Sequence, residues 1–453
     1  MRHLLFDLRR SVSSTNRNAR SATVMGRLLG VAFVVCILTG LYSHFLQQPY
    51  SWMHFPTHPV SLYKWSQGVH ITVGIACFPL LLGKLYTIFP QLFQSPPIKS
   101  IGHVFERASI TLFVSSSLVQ IFTGLLNTFQ YYPWPFPFKQ VHFALSFVII
   151  GSLAIHIALK LPLITRYWTA KRSYDANGEF IPPESDLVPV TPRKQALERL
   201  AALGVDPTSA AFQRDLDDPT VVLDAEVSSA AFEARRPKGF VARIFAWIDD
   251  TPSSPAKTSR RGFFTAVTAS TVGVVALTAG QSFKPFDTIN VLAPRQQGLG
   301  PNDLPINRTA AAAQVLETAM DPNWGLTISK GAFSVRLSAA QLLALPQHQA
   351  DLPISCVEGW SQMATWRGVR LVDLVALVDA DASASLKVTS LEKKGGYRIM
   401  MMGSEYVHDP NTLVATHLNG ERLDIEHGYP ARMIAPGRPG VLQTKWLSTL
   451  EVL

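Results

Sequence analysis

Residues 354–361 have the sequence Ile-Ser-Cys-Val-Glu-Gly-Trp-Ser, and Cys356 is the most informative residue in this run. The two other cysteines of the chain, Cys36 and Cys77, lie in apolar segments of membrane-spanning length. Cys356 therefore has no partner for a structural disulfide outside those segments. A lone thiolate is a soft ligand that suits a metal ion or a nucleophilic role. The common alternative for a single cysteine is a buried, inert side chain.

Two motifs favour the metal-binding alternative. The first spans residues 351–378, where Cys-Val-Glu-Gly-Trp-Ser is followed by Trp366, Gly368, Val369 and Leu371. The second begins about 70 residues later and contains His427-Gly-Tyr-Pro-Ala-Arg432, Pro436-Gly437 and Lys445-Trp446. Together with Asn307 in Leu-Pro-Ile-Asn-Arg-Thr, these motifs resemble the molybdenum-binding core of the sulfite oxidase superfamily and cover most of residues 300–453.

The resemblance implies a domain that binds molybdenum-molybdopterin with one pterin, whose dithiolene shares the metal with the thiolate of Cys356. It also implies basic residues around the phosphate of the pterin, because an anionic phosphate is best bound by Arg, Lys and backbone N–H groups. The residues that it places around the cofactor are Asn307, Ser390, His427, Arg432 and Lys445, and Arg438 is a further candidate for cofactor binding because it lies beside the expected pocket.

Two arginines depart from the pattern of the family or add to it. Arg367 stands where relatives usually have a small residue, and Arg438 lies beside the expected cofactor pocket. These cations could attract an anionic oxo-substrate or contact the phosphate. The sequence therefore leaves the identity of the substrate open.

The composition predicts a membrane part joined to one globular domain. The chain has 453 residues, of which 47% are hydrophobic and 16% charged, which is too apolar for an ordinary soluble enzyme. Its formal net charge is +9, but no basic and aromatic stripe supports binding to nucleic acid. The positive charge is better explained by the orientation of membrane spans.

Four apolar segments of spanning length come first, at residues 25–43, 67–89, 107–129 and 140–161. Basic residues concentrate in the N-terminal tail and after the fourth span, which places both in the cytoplasm by the positive-inside rule. The basic residues are Arg2, Arg9, Arg10, Arg17, Arg20 and Arg27 in the tail, and Lys160, Arg166, Lys171 and Arg172 after the fourth span.

A fifth span is expected after a polar linker. Residues 172–261 are rich in Pro, Asp, Ala and Arg, which is typical of a flexible linker, with a short helix predicted at 192–203. Arg260-Arg261 then precedes an apolar run, as in a twin-arginine export signal. Because the first four spans return the chain to the cytoplasm, a fifth span would carry residues 283–453 outside. That domain shows alternating strand patterns at 324–329, 386–390 and 397–401, and helices at 339–345 and 371–378.

His142 and His156 lie 14 residues apart on the fourth span. At about 3.6 residues per turn they face nearly the same direction, and about 21 Å of helix rise separates them. Ionisable residues inside a membrane are costly and usually functional. Two histidines on one face at this spacing suit the axial ligands of two b-type haems.

Partner ligands are expected at matching depths on neighbouring spans. His70 is level with His142 and is paired with it at the outer haem, while His103 is level with His156 and is paired with it at the inner haem. His44 is a reserve ligand. The alternative for each histidine is a hydrogen-bonded residue at a helix end. Four spans with two histidines on the fourth resemble the cytochrome b561-like membrane subunits of bacterial respiratory enzymes.

The predicted architecture has a basic tail (1–24), a four-span dihaem bundle (25–163), a linker (164–258), a fifth helix (259–282) and an α+β molybdopterin-binding domain (283–453). The predicted location is the bacterial inner membrane, with the C-terminal domain extracytoplasmic. The expected partners of the protein are lipid, a small oxo-substrate and the quinone pool. The sequence leaves the oligomeric state open, and a homo-oligomer is one of the alternatives.

The predicted function is two-electron oxygen-atom transfer coupled to the quinone pool through both haems. Quinol-dependent reduction of an S-oxide or N-oxide is favoured, and a sulfite-type dehydrogenase that passes electrons to quinone is the alternative. A second alternative is a non-catalytic haem protein whose outer domain binds a partner. A transporter is disfavoured because the spans lack paired Gly and Pro interruptions.

Overall fold

The computed structural model describes residues 16–89, 101–176, 180–182, 259–279, 288–293, 295–381 and 383–453. The helix predicted at 192–203, nearly all of the predicted linker and the first 15 residues of the basic tail lie outside the described residues.

Among the residues that the structure describes, five apolar helices are long enough to span a membrane, which confirms the five predicted segments as helices with small shifts at their ends. Large apolar side chains on them are exposed, including Leu38, Phe122 and Phe147. Such surface suggests contact with lipid. The helices are α1 (Ala19–Gln47), α2 (Leu62–Ile88), α3 (Ile101–Thr128), α4 (Phe138–Arg166) and α5 (Arg260–Thr278).

The contacts of the chain divide it into two compact units. The first contains the described parts of residues 1–24, 84–101 and 160–263, and the second those of residues 25–83, 102–159 and 264–453. Every candidate site residue belongs to the second unit.

In the first unit, the beginning of α1 contacts the end of α4. Nη1 of Arg20 donates hydrogen bonds to the carbonyl oxygens of Tyr167 and Trp168, at 2.7 and 2.6 Å. Because helix carbonyls at a C-terminus lack partners and carry partial negative charge, this guanidinium stabilises the end of α4. Nζ of Lys84 likewise donates to the carbonyl of Ala22 at 2.7 Å.

Residues 295–453 are here called the mixed-sheet domain, and their described part contains ten strands, five short α-helices and four 3-10 helices. The helices are α6 (Ala310–Ala313), α7 (Leu316–Ala319), α8 (Ala339–Ala344), α9 (Leu371–Val375) and α10 (Ser404–Val407). The strands are β1 (Gly325–Lys330), β2 (Phe333–Ser338), β3 (His348–Ser355), β4 (Ser361–Arg370), β5 (Leu386–Ser390), β6 (Ile399–Met402), β7 (Leu413–Leu418), β8 (Glu421–Arg422), β9 (Arg432–Ile434) and β10 (Leu447–Val452).

The strands form two sheets, which confirms a mixed-sheet domain. One has the order β2-β1-β10-β5-β6, in which β1 and β10 are parallel and the other pairs antiparallel. The other has the order β3-β4-β7-β8, with β9 also paired to β7. The alternating sequence of β5 matches its burial, because Leu386, Val388 and Ser390 are buried while Lys387 and Thr389 are partly exposed.

One apolar core joins the first sheet to α9 and to strands β7 and β9. Leu326, Ile328, Leu386 and Leu450 are fully buried in it. This core holds β9 and β10 in place. The segment between these two strands, which contains Arg438 and Lys445, is therefore anchored at both ends. The two motifs recognised in the sequence lie on these strands and on the β3–β4 hairpin.

Candidate active site

Cys356 lies in the tight turn that joins β3 to β4. Its backbone N–H donates to the carbonyl of Trp360 at 2.8 Å, and the N–H of Gly359 donates back to the carbonyl of Cys356 at 3.1 Å. Gly359 has φ of +103°, a conformation that favours glycine because it has no Cβ. The turn therefore presents Cys356 in one fixed position.

The thiol of Cys356 is buried, and the residue is only 1% exposed. Nδ2 of Asn307 lies 3.9 Å from its Sγ, so the structure brings two predicted site residues together. Burial raises the pKa of the Cys356 thiol, and the Glu358 carboxylate raises it further. A metal cation bound at Sγ is the partner that would stabilise the thiolate here.

Arg432 and Lys445 are buried cations close to this turn. Nη1 of Arg432 donates to the carbonyl of His427 at 3.2 Å, and Nζ of Lys445 donates to the carbonyls of Arg308 and Glu426 at 3.0 and 2.7 Å. Burial lowers the pKa of Arg432 to about 9. Burial, together with the charge of Arg432, lowers the pKa of Lys445 to about 7.

These two cations fit an anionic cofactor group. Neither takes part in an ion pair among the described residues, and Nε of Arg432 is buried without a hydrogen-bond partner among them. A buried charge without a counter-charge is costly. A phosphate bound beside them would supply both the negative charge and the missing acceptor. The donors in the site therefore suit the phosphate of a molybdopterin.

His427 is buried beside the same cations and is neutral. Burial lowers the pKa of His427 to about 3, with further lowering by Arg432 and Lys445. Its Nε2 lies 3.1 Å from the carbonyl oxygen of Leu304. Because a carbonyl can only accept, Nε2 must carry the ring proton, which fixes the orientation of the imidazole.

Ser390 and Arg438 lie in the same domain with other partners. Oγ of Ser390 donates to the carbonyl of Lys445 at 2.7 Å, so its hydroxyl holds the backbone that carries Lys445. Nη2 of Arg438 donates to the carbonyl of Met401 at 2.8 Å, and its guanidinium lies 5.0 Å from the centroid of the Tyr406 ring. Burial lowers the pKa of Arg438 to about 10.

The rings of His70 and His142 meet edge to face between α2 and α4, with centroids 6.4 Å apart and an angle of 71° between their planes. Nδ1 of His70 lies 3.0 Å from the carbonyl of Cys36 and 3.1 Å from Oγ1 of Thr39. The carbonyl accepts, so Nδ1 is protonated and Nε2 is left as a possible metal ligand. Two imidazoles bound to one metal at roughly 2 Å have centroids at about this separation.

Nδ1 of His142 is buried without a hydrogen-bond partner among the described residues. This observation fits a ring held by a ligand.

The other predicted haem ligands and the reserve ligand have fewer contacts that indicate a haem. His156 stacks on Phe113 with centroids 6.0 Å apart, and His44 stacks on Phe143 at 3.6 Å. His103 lies in the first turn of α3, and its pairing with His156 stays a prediction.

One cavity of about 1150 Å³ joins the histidines to the mixed-sheet domain. Its walls include His44, His70 and His142 from the helices, and Asn307 and Glu358 from beside Cys356. A site for one small molecule usually measures roughly 300–1,000 Å³. The cavity therefore has room for more than one bound group.

Three glycines leave space on the helical wall of this cavity. A Cβ at Gly40 would lie 3.1 Å from Cε1 of His70, and one at Gly124 would lie 3.4 Å from Cε1 of His142. A Cβ at Gly74 would meet nothing within 4 Å. Since glycine lowers helix stability by about 1 kcal/mol relative to alanine, three at one wall favour a bound group there.

Three residues that the sequence did not single out connect the helices to the Cys356 turn. Nε2 of Gln67 donates to the carbonyl of Val357 at 2.7 Å. Nε2 of Gln130 donates to Glu358 and to the carbonyl of Asn307, while Arg295 donates to Oε1 of Gln130 at 2.7 Å. For Gln67, a glutamine within an apolar span was the available signal, whereas Gln130 and Arg295 lie outside the spans.

Residues 312–453 match the family described as "oxidoreductase molybdopterin binding domain". This stretch contains Cys356 and both motifs. The chain therefore carries an oxidoreductase domain that binds molybdopterin. The matched residues do not include α1 to α5.

Three relatives match part of the chain. An uncharacterized oxidoreductase, YuiH, of Bacillus subtilis is 28% identical over 116 residues, which are 25% of this chain and 57% of that protein. Mitochondrial sulfite oxidase of Mus musculus is 26% identical over 148 residues, 27% of each chain. A putative protein-methionine-sulfoxide reductase subunit, YedZ1, of Azospira oryzae is 30% identical over 112 residues, 25% of this chain and 42% of that protein. The chain thus spans only a part of each relative.

Proposed function

We propose that this protein is a membrane-bound molybdenum oxidoreductase that exchanges electrons with the quinone pool through two b-type haems. The observation that carries the proposal is the single cavity that runs from His70 and His142 to the residues beside Cys356. Such a cavity would hold an electron-transfer group and a catalytic group next to each other.

At the catalytic end, Cys356 would bind the metal, and Asn307 lies close enough to its Sγ to orient it. Arg432 and Lys445 would bind the phosphate of the pterin, and Ser390 would hold Lys445 in position. When bound, molybdenum-molybdopterin supplies a metal that changes between Mo(VI) and Mo(IV) and so exchanges one oxygen atom and two electrons. Tyr397, on the cavity wall, is half-buried, and burial raises the pKa of its hydroxyl, which therefore keeps its proton for hydrogen bonding.

At the other end, His70 and His142 would hold the iron of the outer haem, since their rings lie 6.4 Å apart and each has a nitrogen without a protein partner among the described residues. His103 and His156 would hold the inner haem. The protein would set the geometry and the potentials, while the cofactors supply the redox chemistry.

We favour reduction of an S-oxide or N-oxide by quinol. An S-oxide would take two electrons and two protons and would leave as a sulfide and water. The membrane helices and the similarity to a putative methionine-sulfoxide reductase subunit support this direction. Oxidation of sulfite with transfer of electrons to quinone is the alternative, supported by the similarity to sulfite oxidase.

A non-catalytic haem protein with a partner-binding domain is the weaker candidate. A surface that only binds a partner has no need for a buried thiol beside two buried cations. We further propose that the mixed-sheet domain lies outside the bacterial inner membrane, after export directed by Arg260-Arg261, because the charge distribution favours that orientation.

The test is an anaerobic one on the purified full-length chain. Molybdenum and haem are first measured. The haems are then reduced with a quinol analogue and mixed with methionine sulfoxide, trimethylamine N-oxide or sulfite. Reoxidation by an oxide supports the reductase, whereas haem reduction by sulfite in the absence of quinol supports the dehydrogenase. A preparation that contains haem but no molybdenum would favour the non-catalytic protein.

A further inference from the structure

We infer that Gln67 is a positioning residue that holds the Cys356 turn against the haem-binding turn of α2, so that electrons pass between the two sites within one chain. The inference rests on the proposed function, since it assumes a metal at Cys356 and a haem at His70. It adds the route between them and the residue that maintains it.

The first contact is a hydrogen bond between the two turns. Nε2 of Gln67 lies 2.7 Å from the carbonyl oxygen of Val357, the residue directly after Cys356. Gln67 is only 4% exposed. It precedes His70 by three residues, which is about one helical turn, so both side chains lie on the same face of α2. The backbone next to the proposed metal ligand is thus bound one turn from the proposed haem ligand.

The second contact is apolar and lies between Gly359 and Ile71. A Cβ at Gly359 would lie 2.6 Å from Cγ1 and 3.1 Å from Cβ of Ile71. Ile71 directly follows His70, and its β-branched side chain has little freedom in a helix. The backbone of the Cys356 turn therefore packs directly on the residue beside His70.

The amide of Gln67 is oriented by a buried polar network. The hydroxyl of Tyr63 lies 3.1 Å from Oγ of Ser43 and 3.5 Å from Oε1 of Gln67. With Oε1 facing the Tyr63 hydroxyl, the NH₂ group is directed at Val357. Buried polar side chains in an apolar helix are costly, and such a network is retained where a specific geometry is needed.

The same cavity borders both sides of this contact. Gln67, His70 and Ile71 line it from α2, and Val357 and Glu358 line it from the mixed-sheet domain. A short and rigid contact between the two sites supports direct electron transfer. Two successive one-electron transfers would balance each two-electron reaction at the catalytic site, and no separate carrier protein is needed.

The test compares Gln67→Leu with Thr123→Val in the full-length protein. Both variants replace a buried polar side chain of a membrane helix, but Thr123 bonds only to its own helix, at the carbonyl of Val119. Haem is reduced by a laser flash with a photoactive flavin, and its re-equilibration with molybdenum is followed by absorbance. This measurement requires no substrate.

We expect Gln67→Leu to keep its haem spectrum and molybdenum content while re-equilibration slows by about tenfold or more. Thr123→Val should match the wild type. If Gln67→Leu does not fold, Ile71→Ala tests the second contact and should also slow the transfer. Wild-type rates in a loaded Gln67→Leu or Ile71→Ala, or loss of haem as the only change in Gln67→Leu, would overturn the inference. Absence of haem or molybdenum from the wild type would instead refute the proposed function.

Discussion

At the scale of single residues, Cys356 has the role that the catalytic proposal needs most. Replacing it by serine removes the soft ligand while leaving the turn intact, because the two hydrogen bonds of the turn are made by the backbone. We expect Cys356→Ser to abolish turnover and to keep the haem spectrum. Activity with a quinol analogue and an S-oxide, compared with the absorbance spectrum, checks this. Retained turnover would remove the molybdenum assignment.

Lys445 predicts a pH dependence of anion binding to the protein prepared without molybdopterin. Its pKa of about 7 means that the ammonium is present below this pH and lost above it. Sulfate keeps its charge throughout this range, so its binding should weaken as pH rises through about 7. Binding is measured by equilibrium dialysis at several pH values.

Two variants accompany that measurement. Lys445→Arg keeps its charge to higher pH and should bind sulfate above pH 7 as well. Lys387→Met, which removes a surface lysine paired with Glu451, should behave as the wild type does. Binding by the wild type that does not change with pH would contradict the assignment of Lys445 to the anion site.

Of the predicted residues of the catalytic end, Asn307, Arg432 and Lys445 lie near Cys356, whereas Arg438 lies against Met401 and Tyr406. Nδ2 of Asn307 lies 3.9 Å from Sγ of Cys356, a contact that the sequence did not specify, since Asn307 was assigned to the pterin. Gln67 was not predicted, since its partner, Val357, is separated from it by 290 positions. An apolar span with one glutamine indicates that the glutamine has a partner but does not identify it.

At the scale of secondary structure elements, α4 carries two of the four proposed haem ligands, one for each haem. His142→Ala and His156→Ala should each remove about one haem per chain, because each haem would lose an axial imidazole. Haem content from the pyridine haemochrome spectrum checks both. If both variants keep the haem content of the wild type, the proposed pair of haems on α4 is wrong.

Gly74 of α2 lines the cavity, and its replacement gives a second prediction at the scale of helices. Gly74→Phe should fill part of the cavity and lower the haem content, since a side chain there enters open space. Gly151→Phe on α4 is the matched control, because a Cβ at Gly151 also meets nothing within 4 Å but the residue lies outside the cavity wall. Haem content is compared at equal amounts of folded protein. Equal loss in both variants would indicate a general effect on the helices.

Hydropathy predicted the membrane helices well, because apolar length is nearly sufficient to specify a span. Alternation predicted β5 correctly, whereas β6 begins at Ile399 and so two residues later than expected. The ends of elements depend on local hydrogen bonds such as the capping box of Ser338 and Gln341. Hydrophobic periodicity does not contain that information.

At the scale of the whole molecule, the charge distribution predicts the orientation in the membrane. Alkaline phosphatase, which is active only after export, should be active when fused after Leu453 and inactive when fused after residue 220. Comparing the two fusions in cells checks this. The opposite result would place the mixed-sheet domain in the cytoplasm and exclude the proposed site of reaction.

The cavity shared by the helices and the mixed-sheet domain was not predicted. The two proposed sites were each indicated by local patterns, but their distance depends on how segments far apart in the chain pack together. Hydrogen bonds such as that from Gln130 to the carbonyl of Asn307 establish this packing, and no periodic pattern marks them.

Because Gly359 packs on Ile71, the residues tolerated at these two positions during evolution depend on each other. The φ of +103° at position 359 favours glycine, and the missing Cβ leaves the space that Ile71 occupies, so descendants of this chain should keep the two residues together. Encoding both halves in a single gene keeps matched surfaces together, and a recombination event that exchanged one half alone would bring together surfaces that do not fit.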